Sequence, residues 1–159
     1  MFFIGLMVLL ALVTRIVQQM LPTINPDIQT AMRWGAAGAF LFAAMDHLTT
    51  PERYLPMMPD YLPAHSEFIL FTGLCEIAGA IGLTIPRVMK LAGLMLAIYA
   101  VAILPANINN ALNGLSVEGL PQARTYYWIR LGFQPLIIAW LLFAADWIKP
   151  SSIIPPQTR

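Results

Sequence analysis

Charge is what this sequence is shortest of. Only 11% of its 159 residues are Asp, Glu, Lys or Arg, well under the roughly 25% of an ordinary soluble domain. A net charge of +1 without a basic stripe excludes a nucleic-acid partner. Cysteine is nearly absent too. Cys75 stands alone, so an intramolecular disulfide and a CxxC redox pair are excluded; inside an apolar run, it reads as a buried, inert thiol. Histidine occurs only at positions 47 and 65, without HxxxH spacing, so no metal site is expected. Ligation patterns for haem, flavin or iron–sulfur clusters are missing, which leaves no covalent cofactor and means that any electrons would come from a partner. Short alternating segments, the mark of a membrane barrel, are missing as well.

What is present is apolar length. Hydrophobic residues make up 58% of the chain, with mean hydropathy +0.69. Crossing the hydrocarbon core takes about 20 apolar residues, and five runs qualify or nearly do: Phe2–Leu21, Met32–Leu48, Phe68–Ile85, Leu91–Ile108 and Trp128–Ile148. Backbone groups in lipid must be satisfied within their own segment, so these runs predict helices. The fold class is an all-α integral membrane protein, a bundle of about five transmembrane helices. The first run lacks a basic leader and a small-residue cleavage site, so it reads as a retained helix. Arg33, Arg87, Lys90, Lys149 and Arg159 gather on one side, with Arg15 leaning toward it; Arg53, Arg124 and Arg130 lie toward the other. The positive-inside bias puts the N-terminus outside and the C-terminus in the cytoplasm.

The connection "PRVMK" is short enough to make the third and fourth runs antiparallel neighbours. Small residues four apart, Gly35 with Ala39 and Ala78 with Gly82, permit close helix approach. Two long connections, 49–65 and 111–126, fall on the outer side. The first carries Pro51, Pro56, Pro59 and Pro63, which argues against a regular helix. It is too apolar for a free loop, so it is expected to lie across the bundle mouth as a rigid lid with Tyr54 and Tyr61 at headgroup depth.

Polar residues inside the runs concentrate in the outer half. Asp46 and His47 end the second run; Glu76 lies about 13 Å into the third at ~1.5 Å per residue. Asn107, Asn109 and Asn110 sit in the outer turn of the fourth. Arg130 and Gln134 lie a turn apart on one face of the fifth. Intramembrane ionisable groups are costly and face the interior or a wet cavity. Glu76 must be protonated or paired, and Arg130 is the natural partner. Such a pair serves function or merely fixes register. Asp46-His47 suits acid–base work, a ligand contact or simply a polar helix end. Asn107 either binds a ligand or helps satisfy the helix bent at Pro105.

The segments "DHLTTPERYLPMMPDYLP", "GLCEIAGAIGLTIPRVMKLAG", "ILPANINNAL" and "YYWIRLGFQPLIIAW", in this order, resemble the DoxX-like family of small integral membrane proteins. The resemblance covers about residues 33 to 148, on positions including His47, Pro51, Tyr54, Pro59, Glu76, Pro86, Arg87, Pro105, Asn107, Arg130 and Gln134. It implies a four-helix membrane core, so the chain divides into an N-terminal helix and connection at 1–31, that core at 32–149 and, from its composition, a short cytoplasmic tail at 150–159. The family also implies association with membrane oxidoreductase complexes, including thiosulfate–quinone oxidoreduction, while distant animal relatives act as receptor-assembly chaperones. Asp46 departs from the family pattern, and the N-terminal helix lies outside the shared core.

The leading expectation is a bacterial inner-membrane subunit, in a redox or envelope-stress complex, binding a quinone or lipid in an outward-half pocket. Asp46, His47, Tyr54, Glu76, Asn107, Arg130 and Gln134 would line it. The alternatives are a lipid- or isoprenoid-modifying acid–base enzyme and a non-catalytic assembly factor. Its partners would be membrane lipids and either another membrane protein or further copies of itself.

Overall fold

Proline and capping residues divide the apolar runs into helices at definable points. The computed structural model describes residues 2–21, 27–114, 119, 121 and 123–148. The helices are α1 (Phe2–Met20), α2 (Ile28–Thr49), a 3₁₀-helix (Pro51–Met57), α3 (His65–Thr84), α4 (Met89–Ala102), α5 (Leu104–Asn113), α6 (Arg124–Gly132) and α7 (Gln134–Ala144). No strand occurs among the described residues. The expected tail at 150–159, and most of the interior of the 111–126 connection, lie outside the described residues.

Two of the rods are interrupted at a single residue, Ile103 and Phe133. Pro105 falls in the first turn of α5 and Pro135 in the first turn of α7, so each lacks a backbone N–H where the helix would otherwise continue. The α4–α5 rod and the α6–α7 rod are nonetheless near-continuous, since Asn107 N donates to Ile103 O and Ile137 N to Phe133 O. Five rods therefore result. Four of them, Phe2–Met20, His65–Thr84, Met89–Asn113 and Arg124–Ala144, are long and apolar enough to cross a membrane. The fifth, α2, is long enough but carries Gln29, Thr30 and Arg33 at one end and Asp46 and His47 at the other.

α2 packs chiefly on α1 and α3; α4 packs on α3 and α7. The shared core holds Met7, Ala36, Phe40, Leu83, Leu96 and Leu141. Small residues set the spacing, in a register partly different from the one expected. Gly35 faces the Met7 carbonyl, and a side chain on Gly82 would meet Ala92 Cβ at 2.7 Å. Ala78, however, is exposed, and Gly79 takes the inward position against Leu96. Both spacings share a helix face, and it is the packing of Leu96 against α3 that selects Gly79.

The two ends of the bundle differ. At one, Asp27 caps α2, accepting from the Gln29 and Thr30 amides at 3.2 and 2.8 Å. Gln29 and Arg33 then donate to the Phe143 and Ala144 carbonyls at 2.9 and 2.8 Å, satisfying the open end of α7. Burial pushes the Asp27 carboxyl up, but the Thr30 and Gln29 donors and Arg33 outweigh it and hold it below the usual carboxylate range. At the other end the 3₁₀-helix lies against α3, α5 and α2. The segment is expected not to be a regular helix, and Pro51–Met57 takes the tighter 3₁₀ form instead of an α-helix. Pro51 sits where no intrahelical donor is needed, and Arg53 N and Met58 N donate three residues back to Thr50 and Leu55.

Candidate functional site

The proline-rich end assembles from four elements. Asp46, in the last turn of α2, turns toward the 3₁₀-helix. Its Oδ1 accepts from Arg53 Nη1 at 2.5 Å and Thr50 Oγ1 at 3.0 Å, and its Oδ2 accepts from the Tyr54 hydroxyl. Every element of this clamp lies within eight residues, so local sequence suffices to make it. Burial and the adjacent Asp46 carboxylate raise the Tyr54 phenol above its ordinary range, keeping it protonated and donating. Tyr54 is thus turned inward, whereas Tyr61 is 73% exposed. The two tyrosines do not share one environment.

His47 turns the other way. Its Nδ1 lies 3.2 Å from Glu76 Oε2 and 3.3 Å from Thr72 Oγ1, and its ring meets that of Tyr54 edge-on at 4.4 Å. Gly73 allows this approach, since a side chain there would meet His47 Cβ at 3.1 Å. Glu76 is only 4% exposed. Its Oε1 accepts from Tyr99 Oη at 2.9 Å, while Oε2 is close enough to His47 for an ion pair but lacks an aligned hydrogen bond.

Glu76 is therefore paired with His47 and Tyr99, not with Arg130. The cause is topological. α3 packs on α2, α4 and the 3₁₀-helix, whereas α6 packs on α5 and α7, so His47 and Tyr99 are the neighbours within reach. Arg130 is half-buried on α6, and its charge acts on Tyr54 instead.

Asn107 and Gln134 form a separate pair. Asn107 Nδ2 donates to Gln134 Oε1 at 3.3 Å, and Gln134 Nε2 donates to the Ala100 carbonyl at 2.6 Å. Both side chains sit close to the rod interruptions, where proline has removed donors. The Gln134 amide caps the Ala100 carbonyl near the α4–α5 junction, and its bond from Asn107 ties the two rods together. Gln134 lies one turn beyond half-buried Arg130, past the α6–α7 junction at Phe133, and is itself buried.

Tyr99 and Thr72 complete this end and were not singled out by sequence reasoning, while Arg53 entered it only as a loop charge and Asn110 only as a polar residue of the outer turn. Tyr99 offered a usable signal, a phenol inside an otherwise apolar run that would have to find a partner when buried. Asn110 is fully buried with neither amide atom hydrogen-bonded. Cys75 is half-buried rather than buried. Among the described residues no group of three or more His, Cys, Asp or Glu is arranged to hold a metal.

Two grooves lie away from this cluster. One, of about 380 Å³, runs between α1, α2 and α3 past Leu10, Gly38, Leu41 and Ile81. The second, of about 320 Å³, adjoins it, sharing Val13, Thr14 and Trp34 and reaching Gln18 and Thr30. The polar cluster instead consists of side chains in contact with one another.

The family model described as domain of unknown function DUF8561 matches residues 36–145. The match takes in every residue of the cluster and leaves out α1. No curated protein and no solved structure matches the chain. The match spans most of the sequence, and the chain belongs to this family.

Proposed function

We propose that this member of the DUF8561 family is a membrane-embedded subunit that binds a hydrophobic small molecule with a polar head, quinone- or lipid-like, at its proline-rich end. The observation that carries the reading is Glu76, a carboxylate 4% exposed within an apolar bundle, with one oxygen lacking a hydrogen bond. A buried pair is weak support for stability, and a half-satisfied one weaker still, so its presence calls for a use. His47, Thr72, Glu76 and Tyr99 together offer donors and acceptors for carbonyl or hydroxyl groups.

Membrane insertion is supported by the large apolar side chains left exposed, Leu9, Leu12, Ile16, Phe71, Leu74 and Leu91 among them, on several rods at once. In this reading all five rods span and the proline-rich end faces outward. The opposite end, with Arg33, Arg87 and Lys90, faces the cytoplasm of a bacterial inner membrane. The motif likeness to DoxX-like proteins agrees with a place beside a membrane redox or envelope-stress complex. In a Cys75→Ser background, cysteine at Asp60 would label from outside and cysteine at Arg87 would not; the reverse pattern rejects the topology.

Native mass spectrometry of gently extracted protein tests the binding. Copurification of a quinone or isoprenoid lipid, lost in His47→Ala/Glu76→Gln, is the expected result. A chain that carries nothing but a stable protein partner rejects it. One observation favours that second reading, an assembly factor: Asp46 is already engaged by Arg53, Thr50 and Tyr54, as a purely structural clamp would be.

A further inference from the structure

Arg130 and Asn110 are unfulfilled in complementary ways. Among the described residues the Arg130 side chain has no salt bridge and no hydrogen bond, although it lies in a rod long and apolar enough to span a membrane. A guanidinium carries five donors and a permanent charge, and leaving it unpaired at such a depth is costly. Asn110, on α5, has two buried amide atoms without partners.

The helix register brings these two residues to one level. α5 and α6 pack together, Asn107 bonds to Gln134, and Ala111 clusters with Tyr127. In an antiparallel pair, Asn110 then falls opposite the turn containing Arg130. The 3₁₀-helix closes over this place. Its Met57 packs in the same cluster, and its Met57 carbonyl accepts from Asn109 Nδ2 at 3.1 Å.

We infer that Arg130, backed by Asn110, receives the oxyanion head of an anionic amphiphile, a carboxylate or phosphate on an apolar chain. The inference rests on the binding reading above and adds a second head-group subsite at the same end, apart from His47 and Glu76. Arginine grips such heads through two parallel donors. The chain of the amphiphile lies along the exposed Ile108, Leu112, Trp128 and Ile129 of α5 and α6. The head meets half-buried Arg130 first, and it reaches the enclosed Asn110 amide when the 3₁₀-helix shifts aside.

The test uses the full chain in nanodiscs of zwitterionic phospholipid, titrated with a fatty acid carrying a bromine-tagged chain. Bromine quenches nearby tryptophan. Trp128 lies two residues from Arg130, whereas Trp34 sits beside Arg33 and Trp140 and Trp147 are tied to Met32 and Lys90, all three toward the other end. Saturable quenching is expected, weakened about tenfold or more in Arg130→Gln, with Arg130→Lys between the two. Dodecyl phosphate should compete and dodecyltrimethylammonium should not. Equal quenching in the unaltered chain and Arg130→Gln overturns the inference, as does competition by inorganic phosphate matching that of dodecyl phosphate. If Arg130→Gln does not fold, the dodecyl phosphate and dodecyltrimethylammonium arms on the unaltered chain decide alone. A decyl-chain quinone bound equally by both proteins would overturn the oxyanion head while leaving the binding function standing.

Discussion

His47 Nδ1 stands 3.2 Å from Glu76 Oε2 across the α2–α3 interface, with Gly73 making room for the imidazole. Both side chains are largely withdrawn from solvent, at 15% and 5% exposure. Removing His47 takes away the ion-pair partner and leaves the carboxylate with the Tyr99 hydrogen bond alone. His47→Ala is therefore predicted to cost about 3 kcal/mol, with Glu76→Gln in the same background recovering part of it. Thermal melting of the two single variants and the double variant checks this. Strictly additive effects would mean that the two groups do not interact.

The Asp46 clamp governs the 3₁₀-helix. Tyr54→Phe removes one of its charge-assisted bonds and is predicted to cost about 1–2 kcal/mol. The loss should be local, read as faster amide exchange at residues 53–58 with α3 unchanged. Exchange that accelerates equally in α3 and α4 would instead make the clamp part of the global fold.

Gln134 is predicted to act as a brace. Gln134→Leu strands the Ala100 carbonyl and Asn107 Nδ2, at a cost of about 1–3 kcal/mol for each group left unsatisfied in the interior. The variant should melt lower yet keep its affinity for any bound amphiphile. Loss of affinity at unchanged melting temperature would return Asn107 and Gln134 to the binding site.

Asp27 gives a pH signature with a fixed sign. Its carboxyl is held below the usual range in the folded chain, so its contribution is complete above the unfolded value of about 4 and is lost as pH falls through the folded one. Asp27→Ala should cost about 1 kcal/mol at neutral pH, through the lost cap. The gap between the two proteins should close in acid. Melting curves collected from neutral pH downward decide it, and a gap that widens as pH falls contradicts the assignment.

Several features of this protein are set by local sequence. Long apolar runs make helices because nothing else satisfies their backbone. Pro51, Pro105 and Pro135 change or interrupt the helix near where they stand, because each lacks a donor. Asp46, Thr50, Arg53 and Tyr54 are near enough in sequence to find one another. The face of α3 that carries Glu76, Gly79 and Gly82 follows from helical periodicity, although which small residue faced inward was settled only by packing. The partner of Glu76 was beyond such reasoning. Arg130 is the better chemical match by charge and geometry, but a side chain can pair only with what packing brings within a few ångströms. α2 and α4 flank α3, and α6 does not, so His47 and Tyr99 take the carboxylate and Arg130 is left without it. Composition specified that a buried acid needed a partner; the order of the rods around α3 decided which.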